Sequence, residues 1–371
     1  MEDLEIGEVL LNVSELAKFY KGKRVFLTGH TGFKGSWLVC LLKKFGADVC
    51  GYSLAPYTTP NMFGLVGAEK LVSHNIGDVR DLANLKKVMG GYKPDIVLHL
   101  AAQPIVITGY NDPVYTYEVN VMGTVNVLEA ARGVPSVKSI VNVTTDKVYL
   151  NEDKGRAFIE SDPMCGYDPY SNSKSCSELV TYSYAKSFFH PDKFSEHGVC
   201  VSTARAGNVL GGGDWSDYRV VSDFAKSKAT NTPMVVRNPY ATRPWQHVLE
   251  PNLLYLIIAM KQFNNPSFSG SYNIGPDIDN CVTVTKVLDS LKKADNKFQY
   301  VVKKDPNAVH EAVRLELSNQ KIKDVFGYKK IYDIEKTTEA IAEWFSAYAA
   351  SEDMQKFTLM QIDDFLKCVG G

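Results

Sequence analysis

The stretch that decides the fold is "TGHTGFKG", residues 28–35. It closes a short apolar run, "RVFLTG" (24–29), and opens a longer helical one, "GSWLVCLLKKFG" (35–46). Gly29, Gly32 and Gly35 stand three apart. The first glycine permits a tight turn, the second lets the backbone approach a pyrophosphate, and the third lets helix pack on sheet. A helix that starts there offers free N–H groups and the positive end of its dipole to phosphate. The reading is a nucleotide cradle made by Gly29, His30, Thr31, Gly32, Phe33, Lys34 and Gly35, with His30 as a turn residue.

Outward from this loop the alternation repeats. "DVCGYSL" (48–54), "LVSHNIGD" (71–78), "DIVLHLAA" (95–102), "SIVNVTTD" (139–146) and "GVCVSTARAGNV" (198–209) read as strands. "DLANLKKVM" (81–89), "VNVMGTVNVLEAARG" (119–133) and "PYSNSKSCSELVTYSYAKSFF" (169–189) read as helices between them. Strands that alternate with helices argue for βαβ units, so the expected class is α/β with a doubly wound parallel sheet. Beyond residue 210 the texture turns to loops rich in aromatics, Arg and Pro. The expected organisation is a helical leader (1–20), a cofactor domain (21–210, with 246–275 returning to it through "GSYNIG"), and a smaller interleaved substrate-binding domain (211–245 and 276–360). "NQKIKDVFGYKK" (319–330) reads as a solvated helix face.

Composition narrows the function. The chain has 371 residues, 45% hydrophobic, and a formal charge of -1, enough for a large core. Balanced charge gives no reason to expect nucleic acid or an anionic membrane as partner. The acidic first residues lack the basic-then-apolar order of a signal peptide, and no apolar run approaches the ~18 residues of a membrane span. Seven cysteines lie scattered without Cys-x-x-Cys spacing, which reads as reduced thiols, no metal site, and a cytoplasmic setting.

The chemistry sits in "TTDKVY" (144–149) and "PYSNSK" (169–174). Tyr170 and Lys174, four apart on a helix, share one face. The ammonium favours the phenolate and can hold a ribose, so Tyr170 becomes a base that works near neutral pH. The same spacing recurs at Tyr182/Lys186 and Tyr332/Lys336. Position selects Tyr170, because it opens the helix after strand five, at the carboxyl edge where doubly wound sheets bind ligands. Thr145, at that strand's end, can share the substrate hydroxyl. Strand two ends in Cys50, Gly51, Tyr52 and Ser53, with no acid for a ribose and no arginine for a 2′-phosphate, so NAD is only mildly favoured over NADP. Asp78 is read either as an acceptor for the adenine amine or as a helix N-cap.

The strings "TGHTGFKGSWL", "HLAAQP", "NVTTDKVY", "DPYSNSKSCSELV", "ARAGNVLGGGDW" and "RPWQHVLEP" resemble the extended short-chain dehydrogenase/reductases and, within them, the CDP-glucose 4,6-dehydratases. The resemblance runs from about residue 20 to 335. It implies a Rossmann fold, bound NAD, CDP-glucose as a nucleotide-sugar substrate, and a homodimer joined through helices of the cofactor domain. In such a lyase C4 is oxidised, water is eliminated across C5 and C6, and hydride returns to C6. By resemblance Tyr170 is the C4 base and Asp146 the acid for the C6 hydroxyl. Lys147, where related dehydratases carry Glu, is either the C5 base or a charged stabiliser of the enolate. Val79, Leu100, Ala101 and Ala102 would line the cofactor, and Gln103 the substrate. Asn208 is expected at the end of strand six against a diphosphate or sugar oxygen. Arg219, Arg237 and Arg243 are candidates for the diphosphate, Arg243 fitting the pattern best. His247 is equally a ligand or a packed core residue. The rivals are a 4-epimerase or reductase on the same scaffold, a dehydratase of another nucleotide hexose, and a nucleotide-binding regulator without chemistry.

Overall fold

The structure is a computed structural model and describes residues 12–152, 155–236, 238–303 and 315–369. Twelve strands are present among these residues: β1 (Arg24–Thr28), β2 (Asp48–Ser53), β3 (Ser73–Ile76), β4 (Ile96–His99), β5 (Ser139–Thr145), β6 (Cys200–Ala206), β7 (Asn208–Leu210), β8 (Met234–Val236), β9 (Thr242–His247), β10 (Ser271–Ile274), β11 (Cys281–Thr283) and β12 (Tyr300–Val302). Seven form one sheet in the order β10-β6-β5-β4-β1-β2-β3, and every pairing in it is parallel. The order reverses direction between β1 and β4, which opens a crevice at the carboxyl ends of those strands. β4, β5 and β6 are buried along their whole length, as the central strands of a parallel sheet covered by helices on both faces must be.

The helix Phe33–Lys44 covers one face together with Leu249–Gln262. All but Lys261 of the 14 residues in the latter are buried. A helix buried all round has no solvent face, and each fully buried Leu or Ile contributes roughly 1.5–3 kcal/mol. The other face carries Leu82–Tyr92, a long run over residues 113–132, and Pro169–Ser187. The long run contains a π-helical turn, Glu118–Met122.

Strand six divides where the sequence reads one strand. Gly207 lies between β6 and β7, and a Cβ there would sit 2.7 Å from Pro244 Cγ, so the chain crosses β9 closely and leaves the main sheet. β7, β9 and β11 make a three-stranded sheet, and β8 pairs with β12. One further expectation is corrected. The helix Gln320–Phe326 is no solvated face, because Ile322 and Phe326 are fully buried, Phe326 against the ring of Tyr272. The helix Val13–Tyr20 is docked, with Leu16 buried and the Tyr20 hydroxyl donating to the Leu256 carbonyl at 2.7 Å. The last helix, Met354–Lys367, packs on Phe33–Lys44, and Lys44 pairs with Asp363 at 2.5 Å.

Candidate active site

The glycine loop leaves β1 and turns directly into a helix. Gly29 has φ +77°, open to glycine at little cost, and a Cβ there would lie 2.8 Å from the Ala101 nitrogen. A Cβ on Gly35 would lie 2.1 Å from the Gly29 carbonyl oxygen. Gly32 is the N-cap residue of the helix Phe33–Lys44 and provides no side-chain cap, which leaves the first N–H groups for a ligand. A cleft beside the loop is lined by Thr31, Gly32, Phe33, Tyr57, Asn61 and Trp215. An uncapped helix end, a cleft and close-packed glycines fit a dinucleotide pyrophosphate. Leu100 and Ala101 follow β4, and their N–H groups both donate to Thr28 Oγ1 at 3.1 Å, which fixes the far wall of the crevice. Ala102 continues that wall, half-buried.

Other cofactor candidates fall unevenly. The His30 ring turns beneath the sheet, edge-on to Phe63 and 2.7 Å from His74, so only its backbone can face a phosphate. Burial, with His74 beside it, lowers that imidazole to about 4. Asp78 is no helix cap; Asp81 caps Leu82–Tyr92 instead. Burial pushes the Asp78 carboxyl up, but the bonds and charge of Arg80, 2.7 Å away, outweigh it and hold it below its ordinary value. Val79 is core, and its carbonyl accepts from Asn126 at 2.9 Å.

Thr145, Asp146, Lys147, Tyr170 and Lys174 come together at the carboxyl end of β5. Asp168 caps the helix Pro169–Ser187 through the Ser171 N–H at 3.0 Å, and Pro169 occupies its first turn. This start fixes the rotation that turns Tyr170 and Lys174 towards the strand end. Thr145 Oγ1 donates to Asp146 Oδ1 at 2.9 Å. Asp146 is 2% exposed, and its Oδ2 has no hydrogen-bond partner. Burial raises its carboxyl above the usual carboxylate range, against the pull of Lys147, Thr145 and Arg243. A carboxyl so placed keeps its proton more readily, as a general acid requires.

Tyr170 differs from expectation. Burial raises the phenol and outweighs both the Thr145 hydrogen bond and the Arg219 charge, so the net shift is upward rather than toward an easy phenolate. Lys174 donates to the Val143 carbonyl at 3.2 Å, and burial lowers it to about 8, with Glu178 opposing. Half-buried Lys34 reaches inward from the glycine loop to the Tyr255 hydroxyl at 3.1 Å. Burial, then the charges of Lys174 and Arg219, lower it to about 7.

Among the substrate candidates, Arg243 is buried on β9 with its charge reaching Asp146. Arg219 precedes the helix Val220–Thr230 and donates to the Pro104 carbonyl at 3.3 Å. Asn208 opens β7 rather than ending β6 and is half-buried. Arg237 lies outside the described residues. Two candidates are corrected. Gln103 uses its carboxamide on neighbouring chain, donating to Thr116 of the helix Pro113–Tyr117 at 2.8 Å and accepting from the Ile105 N–H at 2.6 Å. His247 is a core residue among Trp37, Tyr332 and Phe365, lowered by burial to about 3. Of the recurring Tyr/Lys pairs, Tyr182 is 63% exposed and Tyr332 is packed against Phe365. Asn120, which the sequence reading passes over, sits in the π-helical turn and ties the Gln103 backbone to Ser173 Oγ, between Tyr170 and Lys174. π-turns cluster at functional sites, and an Asn inside an apolar helical run was its available signal.

A glycine cradle and a Tyr/Lys/Thr/Asp cluster lie at one sheet edge, and comparison with known proteins names the family. The sequence model described as GDP-mannose 4,6 dehydratase matches residues 26–341. The chain belongs to the GDP-mannose 4,6-dehydratase family. Within that family's reach, it is 41% identical over 349 residues to CDP-glucose 4,6-dehydratase of Salmonella typhimurium, covering 94% of this chain and 97% of that one. CDP-paratose 2-epimerase of Salmonella typhi is 24% identical over 359 residues, 90% of this chain and 97% of that protein. The crystal structure of Thermus thermophilus UDP-glucose 4-epimerase with NAD aligns at a TM-score of 0.74 and 25% identity, over 87% of this chain and 99% of that one. That of Bacillus anthracis dTDP-glucose 4,6-dehydratase with NAD aligns at 0.70 and 21% identity, over 91% and 100%. The 4,6-dehydratase fold is thus the extended short-chain dehydrogenase/reductase fold, a Rossmann sheet with a cap.

Proposed function

We infer that the protein is an NAD-dependent CDP-glucose 4,6-dehydratase, a hydro-lyase that forms CDP-4-keto-6-deoxyglucose. The observation that carries the reading is Asp146: a buried, upshifted carboxyl beside Thr145 and Tyr170. An epimerase has no leaving hydroxyl at C6 and no use for such an acid. The 41% identity to the Salmonella enzyme supports the same substrate.

Bound NAD supplies a hydride acceptor at C4 and the same hydride for C6, so the cofactor is unchanged after each turnover. The residues do the rest. Thr145 and Tyr170 hold the C4 hydroxyl, and Tyr170 takes its proton. Burial opposes the phenolate, so the Thr145 hydrogen bond and the Arg219 cation are needed to stabilise it. The C4 ketone then acidifies the C5 proton. Asp146 gives its proton to the C6 hydroxyl, which leaves as water, while Lys147 accepts the C5 proton or stabilises the enolate by its charge. Arg219 and Arg243 hold the diphosphate, with Asn208 at the sugar side. Lys174 and the loop 29–35 hold the cofactor.

The enzyme works as a homodimer through helices of the cofactor domain. Two neighbouring helical runs, 106–132 and 169–187, with the bend before the second, leave Tyr110, Val114, Met122, Tyr167 and Leu179 exposed, an apolar surface that favours a partner. Its setting is the cytoplasm: all seven cysteines are free, and no helix among the described residues is long and apolar enough to cross a membrane. The test is direct. Purified protein with NAD and a panel of CDP-, dTDP-, GDP- and UDP-hexoses should release water from CDP-glucose, seen as an 18-dalton mass loss, with no net change in NADH absorbance. No water loss from any of them refutes the reading.

A further inference from the structure

Glu178 lies one turn beyond Lys174 on the helix Pro169–Ser187, so the two side chains share a face. The Glu178 side chain is 1% exposed and collects three donors. They are Thr144 Oγ1 on β5, Thr203 Oγ1 at 2.8 Å on β6, and Arg205 Nη2 at 2.8 Å on the same strand. Arg205 turns its other nitrogen to the Tyr149 hydroxyl at 2.8 Å, and that hydroxyl donates to Asn273 on β10 at 2.5 Å. The network therefore grips the chain at Thr144 and at Tyr149, on either side of Asp146 and Lys147. Lys174 reaches the same strand one residue before Thr144, at the Val143 carbonyl.

We propose that Glu178 is a positioning residue of this reaction: it anchors both ends of the Asp146–Lys147 turn and supplies the negative charge that keeps Lys174 an ammonium. A buried ion pair alone is weak evidence for stability, because desolvation offsets its attraction. Here the carboxylate pairs with Arg205 at 2.8 Å and shares a helix face with Lys174, so a structural cation and one at the cofactor site both feel its charge. Burial draws Lys174 down and Glu178 acts in the opposite sense. The other groups that face Lys174 are Tyr170 on its own helix, His99 on β4 and Lys34 from the glycine loop. His99 is lowered to about 3 and Lys34 to about 7, so neither carries charge above pH 8.

The proposal rests on the dehydratase reading for its role, so its test is NAD binding, which needs no turnover. NAD dissociation constants are measured by calorimetry from pH 6 to 10. Wild-type affinity should fall on the alkaline side as Lys174 loses its proton. In Glu178→Gln the midpoint of that fall should move about 1 pH unit or more to lower pH, as expected for removing a close buried charge. A folded variant with an unmoved midpoint overturns the proposal. If Glu178→Gln does not fold, Glu178→Gln with Arg205→Met also removes an opposing positive charge, so the midpoint should still move to lower pH but by less, and an unmoved or raised midpoint overturns the proposal. Thr144→Val keeps every charge and loosens only the turn, so it should leave the midpoint alone and lower kcat about 10-fold or more at unchanged KM. An unchanged kcat there overturns the positioning role. A wild-type protein that binds NAD with this pH profile but dehydrates nothing counts against the function alone.

Discussion

Replacing Asp146 by Asn isolates one proton in the proposed reaction. The variant keeps the side chain's shape and the acceptor that Thr145 Oγ1 reaches at 2.9 Å. It replaces Oδ2, the buried oxygen without a partner, by an amide that has no acidic proton. Folding should be little affected, since a buried carboxyl already pushed toward its neutral form is exchanged for a neutral amide. A positioned general acid is worth roughly 10²- to 10⁴-fold, or about 3–5 kcal/mol on the barrier. Thr145, Tyr170 and Lys174, which serve the C4 oxidation in the proposed mechanism, are untouched. Stopped-flow absorbance at 340 nm should therefore rise to about one equivalent of reduced cofactor and stall, while mass spectrometry finds water loss slowed at least about 100-fold. The sign of the pH dependence follows from the upshift: the acid must be protonated, so wild-type water loss declines as pH rises through its raised value, and the variant lacks that limb. Water loss at the wild-type rate would falsify the assignment of Asp146.

Tyr170→Phe should lower turnover by about 100-fold or more with NAD still bound, whereas Tyr182→Phe, at an exposed site, should leave it nearly intact; equal losses in steady-state assays would put the site on the wrong helical face. Lys147→Met should still reduce the cofactor, and its C5–deuterium exchange in heavy water, read by NMR, separates the two roles: exchange vanishes for a base and persists for a stabiliser. Glu250 is buried, accepts from the Tyr328 hydroxyl and the Ile331 and Tyr332 N–H groups, and is raised by burial from 4.5 to about 7. Its contribution is present below the unfolded value and lost as pH rises through the folded one, so between pH 5 and 8 the wild type should lose about 2–3 kcal/mol relative to Glu250→Gln in denaturant titrations; parallel pH profiles refute this. Leu179→Glu, at the exposed apolar surface, should give monomers by light scattering, and an unchanged dimer moves the interface elsewhere.

The parts of this protein written in short contiguous strings are legible from the residues alone. The glycine loop and the Tyr170/Lys174 spacing depend only on neighbours within one or two turns of chain, so a local pattern carries their geometry. The parallel sheet follows from apolar runs alternating with helical ones. What local pattern cannot carry is which face of an element meets which partner from far along the chain. Arg243 and His247 are four residues apart on one strand, yet one reaches Asp146 with its charge and the other is sealed among aromatics. The break of strand six at Gly207 is set by Pro244 crossing behind it. Gln103 reads as a substrate contact until Thr116 and Ile105 are seen to occupy it. The sequence by itself determined the class of sheet and supplied the spacings that nominate a cofactor cradle and candidate catalytic residues. Their ionisation was decided by the tertiary structure alone, because burial of Asp146, Tyr170, Lys34 and Lys174 comes from helices and strands scattered over more than two hundred residues, and desolvation depends on everything that surrounds a group.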